Sequence, residues 1–268
     1  MNESRTHSIR YLALGAIQES DPLIKVTLTN QLLSLNAPIG SEYVIEEPSG
    51  LPGRPSLPRL VPHNQIKQFS LVTNKGKAAL VHSVTHIEFN AVALALDIIW
   101  RFAGMPDQFY WDWARIAQEE ALHFTLLRDH LVTLGYDYGS FPAHNALWVM
   151  AEKTKDDILA RIGLVPRTLE ARGLDVSPGV KEKLIGAGDH KGAAIFDIIL
   201  KDEIGHVLAG NHWYRWICRE RGIDPIKTYE ELVEKYDPPK IRAPYNIEAR
   251  RLAGFTDEEI AALISNNR

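Results

Sequence analysis

The sequence predicts an all-α protein, built as a ferritin-like four-helix bundle with a helical arm, a proline-rich connector and short C-terminal helices. Four long segments show the spacing of apolar residues that is typical of helices, and almost nothing between them resembles a strand. Glycine or proline follows each segment, as expected where helices end. Two of the segments carry glutamate and histidine three residues apart, which places both side chains on one helix face.

The N-terminal part, residues 1–62, is predicted to be a helical arm followed by an extended connector. Residues 8–35 have a helical pattern that is interrupted at Asp21-Pro22, where proline suits the first turn of a new helix. Residues 38–62 contain six prolines and three glycines, a density that forbids a long helix or a central strand. We expect this connector to lie over the surface.

The predicted bundle occupies residues 63–222. Its four helices cover about residues 77–102, 107–134, 145–172 and 190–221, and the glycines that follow them are Gly104, Gly135, Gly173 and Gly222. Pro166 lies inside the third pattern, so we expect a kink or a helix restart there. A short helix is expected between Ser177-Pro178 and the fourth long helix.

The remaining residues, 223–268, form a tail that is predicted to hold short helices at best, because it contains four prolines. The last of these helices should begin at Thr256. Glu259 follows three residues later, and this spacing is that of a capping box, in which each side chain accepts a backbone N–H of the other residue.

Composition excludes several classes of protein. The formal net charge of -4 over 268 residues gives no bulk attraction to nucleic acid or to anionic lipid. The single cysteine, Cys218, excludes an intrachain disulfide, and without a Cys-x-x-Cys pair there is no zinc ribbon. The longest apolar run, residues 91–100, is too short to span a bilayer. We expect a cytoplasmic protein with no nucleic-acid partner and no membrane.

Glu88 is the first candidate metal ligand. It precedes residues 89–96, which are apolar nearly all the way round the helix, and this pattern indicates a helix buried on most sides. An isolated buried charge is costly, so a buried glutamate is normally paired, protonated or bound to metal.

Two copies of a Glu-x-x-His motif supply four further candidates. Glu120 and His123 lie on the second long helix, and Glu203 and His206 repeat the arrangement on the fourth. The third helix contributes Glu170, which has no histidine partner and corresponds to Glu88.

The spacing of these residues indicates an internal repeat. Glu120 follows Glu88 by 32 residues and Glu203 follows Glu170 by 33, so each half is a helical hairpin with the same order of ligands. Residues 135–145 then form the crossover between hairpins. Four carboxylates and two imidazoles in a bundle core are the ligand set of ferritin-like two-metal proteins. Oxygen and imidazole ligands suit iron first and manganese second.

Glu119 and Asp202 directly precede the two motifs and are candidates for an outer role. Ligating histidines usually donate their second ring N–H to a carboxylate or a carbonyl. We predict that each of these residues serves the histidine of the opposite motif.

Chance is the alternative for any one of these motifs. A single Glu-x-x-His on a helix is more often a solvated face or a helix-stabilising pair. Two copies with glutamates at matching offsets favour metal binding. His86 and His130 are not counted as ligands, because His86 faces away from Glu88 and His130 lies two turns beyond His123.

The same residues carry a family resemblance. It rests on five segments: His86-Ile87-Glu88, Asp112-Trp113, Glu119 to Phe124, Val165 to Asp175 and Glu203 to Val207. These segments, together with Asn246 to Arg250 in the tail, resemble the DUF455 family of ferritin-like proteins. The resemblance implies a ferritin-like fold with all six ligands present. The family has no assigned reaction, so the resemblance bears on fold and site.

The leading functional hypothesis is an oxidoreductase in which two iron ions, or iron with manganese, activate O2 to oxidise an unknown small organic molecule. Electrons would come from an external donor, because the chain shows no flavin or dinucleotide motif. The rivals are a ferroxidase or iron-handling protein, and a metal-stabilised protein without catalysis. A homodimer is a further expectation.

Overall fold

The computed structural model describes residues 7–266 and confirms an all-α protein. Across those residues there is no β-strand, and β pairing is confined to an isolated bridge between Leu60 and Ala143. The chain forms two compact units, Met1–Asn145 and Ala146–Arg268. The division predicted after residues 62 and 222 stays a prediction.

The first unit holds two short helices, a 3-10 turn and one long helical hairpin. These are α1 (Ile9–Gln18), α2 (Pro22–Gln31), the turn His63–Gln65, α3 (Asn74–Arg101) and α4 (Asp107–Thr133). The helical arm with its interruption at Asp21 is confirmed, since Asp21 Oδ1 accepts the N–H groups of Leu23 and Ile24 at the start of α2. A five-residue connection lets α3 and α4 pack side by side along the chain.

The connector, residues 38–62, contains neither helix nor strand, as predicted. It does not simply lie over the surface, however. The Gly53 N–H donates to Ile17 O over 2.8 Å, and a Cβ at Gly53 would come within 2.0 Å of Gln18 O. The buried ammonium of Lys25 donates to Ile17 O at 3.1 Å and Gly53 O at 2.8 Å. Only glycine therefore allows the connector to approach α1 this closely.

Helix α3 forms the core of the first unit. Among the described residues it alone is long and apolar enough to cross a bilayer, and 72% of its most apolar 18-residue window is buried inside the protein. This burial is typical of a core helix rather than a membrane span. The apolar segment is nevertheless longer than the ten-residue run that the sequence indicated.

The second unit begins with broken helices, continues with one long helix and ends with three short ones. It contains α5 (Ala146–Lys153), α6 (Ile158–Leu164), a π-helix (Val165–Glu170), α7 (Ala171–Gly186), α8 (His190–Arg221), α9 (Pro225–Tyr236), α10 (Ile247–Leu252) and α11 (Asp257–Asn266). The predicted bounds of α8 are confirmed. Gly222 follows it with a φ of 64°, the left-handed conformation that ends many helices.

The prediction of a single helix over residues 145–172 is wrong. The chain leaves the helix after α5 and starts again at Asp157, whose Oδ1 accepts the Leu159 N–H at 3.0 Å. Arg161 is fully buried and donates to Ala151 O at 2.6 Å and Thr154 Oγ1 at 3.1 Å. The Arg161 side chain thus provides a hydrogen-bond donor for a carbonyl at the end of α5, and the apolar pattern alone did not predict this contact.

A kink or a helix restart was predicted at Pro166; the chain stays helical there but changes from α-helix to π-helix over Val165–Glu170. The predicted helix end at Gly173 and the predicted separate helix after Ser177-Pro178 are both wrong, because α7 runs through these residues. Proline at position 178 cannot donate to Leu174 O, and Asn246 Nδ2 donates to that carbonyl instead, over 3.2 Å. Tertiary contact therefore keeps the helix intact.

The described part of the tail holds short helices, as predicted, and α9 is the longest of them with 12 residues. The capping box is confirmed: Thr256 N–H donates to Glu259 Oε2 at 2.8 Å, and Glu259 N–H donates to Thr256 Oγ1 at 3.2 Å. Arg250 donates twice to Asp175, at 3.0 and 2.7 Å, with both side chains buried. This ion pair fastens α10 to α7.

Candidate metal centre

The first unit brings three predicted ligands together. Glu88 on α3 and Glu120 and His123 on α4 are 3%, 1% and 0% exposed. His123 Nδ1 lies 3.4 Å from Glu88 Oε2 and 3.4 Å from Glu120 Oε2. One potential ligand atom from each of the three lies within 4.8 Å of the others, so this buried cluster could hold a metal ion.

Packing of the hairpin fixes these positions. Phe89 and Phe124 directly follow Glu88 and His123 in the chain, and their rings meet with centroids 5.3 Å apart. Both rings are buried. Because each aromatic residue is one position beyond a ligand, the ring contact sets the rotation of both helices and so directs the ligands toward each other.

The electrostatics of the cluster call for a balancing cation. Burial raises the pKa of Glu88 well above its usual value, the charge of Glu120 raises it further, and His123 opposes both effects. For His123, burial acts to lower the pKa, but interaction with Glu120 and Glu88 outweighs it and the pKa rises. In the described part of the chain Glu88 Oε2 is buried without a hydrogen bond. Such a set is stabilised by a proton or a metal ion.

The second unit carries the other motif on α8. Glu203 and His206 are 7% and 1% exposed, and His206 Nδ1 lies 3.9 Å from Glu203 Oε2. A Cβ added at Gly173 would lie 3.9 Å from Glu203 Cδ, so α7 passes directly beside this carboxylate. The two motifs thus share burial, spacing and helical setting.

Glu170 lies at the end of the π-helix and is half-buried. Its role as a ligand stays a prediction. Its setting adds something that the sequence did not indicate, since single turns of π-helix inside α-helices occur frequently at functional sites. Glu119 and Asp202 are also half-buried, beside the buried Glu120 and Glu203, and their outer role stays a prediction.

The structure supports leaving His86 out of the ligand set. His86 Nε2 lies 3.2 Å from His144 O and must donate there, so Nδ1 accepts from the Tyr138 hydroxyl at 2.8 Å. His86 and Asn90 help to line a cavity of about 270 Å³, on the face of α3 opposite Glu88. This cavity is therefore separate from the cluster.

Two residues of chemical interest were missed by sequence reasoning. His82 is fully buried and its Nε2 accepts the Gly139 N–H at 2.9 Å, while its ring stacks on Tyr138. Arg167 is buried on the π-helix. Its position directly after Val165-Pro166, in an apolar stretch, was the signal that could have revealed a buried guanidinium.

The fold and the cluster define a class: an all-α protein with buried glutamate and histidine side chains that could hold a metal ion. The family described as "Protein of unknown function (DUF455)" matches residues 18–261, and the chain belongs to it. An uncharacterized protein from Haemophilus influenzae (strain ATCC 51907 / DSM 11121 / KW20 / Rd) is 46% identical over 213 residues, 77% of this chain and 74% of that protein. No solved structure matches the chain significantly.

Proposed function

We propose that the two motifs act as halves of one dinuclear metal centre in a ferritin-like bundle, with Glu88, Glu120 and His123 from the first unit and Glu170, Glu203 and His206 from the second. The observation that carries this proposal is the repetition of a buried Glu-x-x-His on α4 and α8. A single Glu-x-x-His pair can be explained as a contact that stabilises its own helix. Two pairs at matching offsets from a further glutamate are the pattern of a two-metal carboxylate site.

Charge balance favours two divalent ions over one. Four carboxylates together carry four negative charges, which two divalent cations neutralise. Burying the acids without cations is costly, whereas the neutral assembly is tolerated in a low-dielectric core. Carboxylate oxygens and imidazoles suit iron or manganese, and a zinc site of the structural kind would use thiolates, of which the chain has a single candidate in Cys218.

We further propose an oxidoreductase that acts on a small organic molecule. Reduced iron, when bound, would supply the activation of O2. The chain itself would hold and orient the metals, exclude bulk water through the apolar surroundings of α3, and fix the histidine rings through outer carboxylates such as Glu119 and Asp202. The electrons would come from an external donor.

Anaerobic titration with Fe(II), followed by measurement of O2 consumption, tests this function. We expect saturation at about two ions per chain, because six ligands are the complement of a dinuclear site, and O2 uptake by the reduced protein. Asp129→Ala and Glu220→Ala remove exposed acids from α4 and α8 and should change neither result.

The outcome also separates the rival functions. Tight metal binding without O2 uptake would support a metal-stabilised protein without catalysis. Repeated oxidation of excess Fe(II), with iron retained, would support an iron-handling protein. Either result would overturn the oxidoreductase proposal.

A further inference from the structure

A cavity of about 530 Å³ lies in the second unit between the π-helix and the three C-terminal helices. Its volume falls within the usual range for small-molecule sites. The polar groups of its wall that are not exposed come from different elements: Arg167 and Thr168 from the π-helix, Tyr229 from α9, Arg250 from α10 and Glu259 from α11. Glu230, Glu234 and Lys240 also line it and are exposed. Few convergent polar groups in an apolar cavity are typical of a binding site.

Arg167 is the central polar group of this cavity. It is 5% exposed, and its guanidinium lies 4.6 Å from the ring centroid of Tyr229 and 5.1 Å from that of Phe255. One terminal nitrogen donates to Glu259 Oε1 at 2.6 Å. In the described part of the chain its Nε is buried without a hydrogen-bond partner. The guanidinium therefore keeps donor capacity that its contact with Glu259 does not use.

The two carboxylates that pair with the buried arginines Arg167 and Arg250 are each shared with a second, half-buried arginine outside the cavity wall. Glu259 is shared between Arg167 and Arg215, whose nitrogen lies 2.7 Å from Glu259 Oε2. Asp175 is likewise shared between Arg250 and Arg172. Two carboxylates thus face four guanidinium groups. The acids at the mouth, Glu230 and Glu234, are exposed, and solvent and salt screen them more than the buried groups.

The remaining walls suit an apolar body with one polar group. Ile226, Val233 and Ile241 line the cavity beside the aromatic rings. The Thr168 hydroxyl donates to Gly163 O at 2.7 Å, so it accepts from the Tyr229 hydroxyl at 2.8 Å. Both hydroxyl hydrogens are thereby used inside the protein, and the guanidinium of Arg167 is left as the buried donor for a ligand, whereas Lys240 lies at an exposed part of the wall.

We propose that this cavity binds a small organic anion, namely a carboxylate with an apolar body of about eight carbons. The carboxylate pairs with Arg167, and the apolar body lies against α9 and Phe255. The proposal does not depend on the metal centre. The ligand would nevertheless contact the π-helix that carries Arg167 and ends three residues later at Glu170.

Three probes with one alkyl chain test the class of ligand: octanoate, 1-octanol and octyltrimethylammonium, each titrated into the full chain by calorimetry. We expect octanoate to bind about tenfold or more tightly than 1-octanol, because a hydrogen bond to a charged group stabilises more than a neutral one. The cationic probe should not bind. Equal binding of the three probes, or no binding of octanoate at millimolar concentration, would overturn the proposal.

Five variants test the location. Val233→Trp fills the cavity and should abolish octanoate binding, whereas Lys235→Trp, on the exposed side of α9, should not. If Val233→Trp does not fold, Ala262→Phe fills the same cavity from α11. Arg167→Gln should weaken octanoate binding about tenfold, because it removes a buried positive charge. Glu259→Gln should strengthen octanoate binding, because it removes a buried negative charge. Unchanged octanoate affinity in a folded cavity-filling variant would place binding elsewhere.

Discussion

At the scale of single residues, neighbouring acids in the two motifs have different surroundings. Glu120 is almost completely buried and Glu119, one position earlier, is half-buried. The same contrast separates Glu203 from Asp202. Spacing alone does not separate the two acids of each pair, because residues three and four positions before the histidine both share its helix face. The difference in burial is what the structure adds.

We therefore expect Glu120→Ala and Glu203→Ala to lose metal, since each removes a ligand. Glu119→Ala and Asp202→Ala should retain metal with an affinity about 10 to 100-fold weaker, as is typical when the partner of a ligating histidine is removed. Metal analysis after reconstitution and dialysis against graded chelator measures both effects. Wild-type metal content in Glu203→Ala would contradict the assignment.

His82 gives the first unit a pH dependence that does not involve the ligands. Burial lowers its pKa to about 4, and Nε2 must be unprotonated to accept the Gly139 N–H. Its neighbours are the rings of Tyr138 and Phe141. Since the folded pKa is below the unfolded value, the unfolded state binds more protons between about pH 6.5 and 4, and stability falls as the pH falls through this window.

His82→Gln tests this, because the amide oxygen still accepts the Gly139 N–H but does not titrate. The difference in free energy of unfolding between wild type and variant should shrink by up to about 3 kcal/mol from pH 7 to pH 4. Urea unfolding at several pH values gives this difference. A difference that stays constant with pH would show that His82 is not held neutral.

At the scale of elements, the sequence predicted correctly those helix ends that are set by neighbouring residues. Gly222 ends α8 and Thr256 begins α11 through short-range backbone geometry, which can be recognised in the sequence. The predictions that were wrong concern helix ends that depend on residues distant in the sequence. Arg161 reaches back to the end of α5, and Asn246, 72 residues from Leu174, supplies the donor that lets α7 continue through a proline. Such long-range contacts do not change the spacing of apolar residues, so the sequence pattern does not predict them.

Arg10 provides a comparable long-range contact in the first unit. It is fully buried and donates to Ile99 O at 3.2 Å and Trp100 O at 2.6 Å, two carbonyls in the last turn of α3, and to Gly40 O at 3.0 Å. Arg10→Met keeps the apolar part of the side chain but leaves these carbonyls without their donor. The free energy of unfolding should fall by about 3 kcal/mol or more.

The matched control is Arg115→Met, which removes an exposed arginine from α4. It should change the free energy of unfolding by less than about 0.5 kcal/mol. Chemical denaturation of both variants at one pH provides the comparison. Equal stability of the two variants would show that Arg10 does not hold the end of α3.

At the scale of the whole molecule, the repeat was the most informative feature of the sequence. It predicted six metal ligands, and the structure places three of them, Glu88, Glu120 and His123 of the first half, in one buried cluster. The cavity beside Arg167 could not be predicted, because its walls come from segments as far apart as Thr168 and Leu263. A motif can indicate a ligand, but an enclosed space depends on how distant elements pack.

The central claim is that both motifs serve one dinuclear centre, and Mössbauer spectroscopy of the protein loaded with ⁵⁷Fe and oxidised tests it most directly. Two ferric ions that share carboxylate ligands couple magnetically, so we predict about two iron ions per chain and a diamagnetic quadrupole doublet. Both Glu120→Ala and Glu203→Ala should lose this signal, whereas Asp129→Ala should keep it. Magnetically isolated ferric ions, or a doublet that survives in Glu203→Ala, would contradict the account.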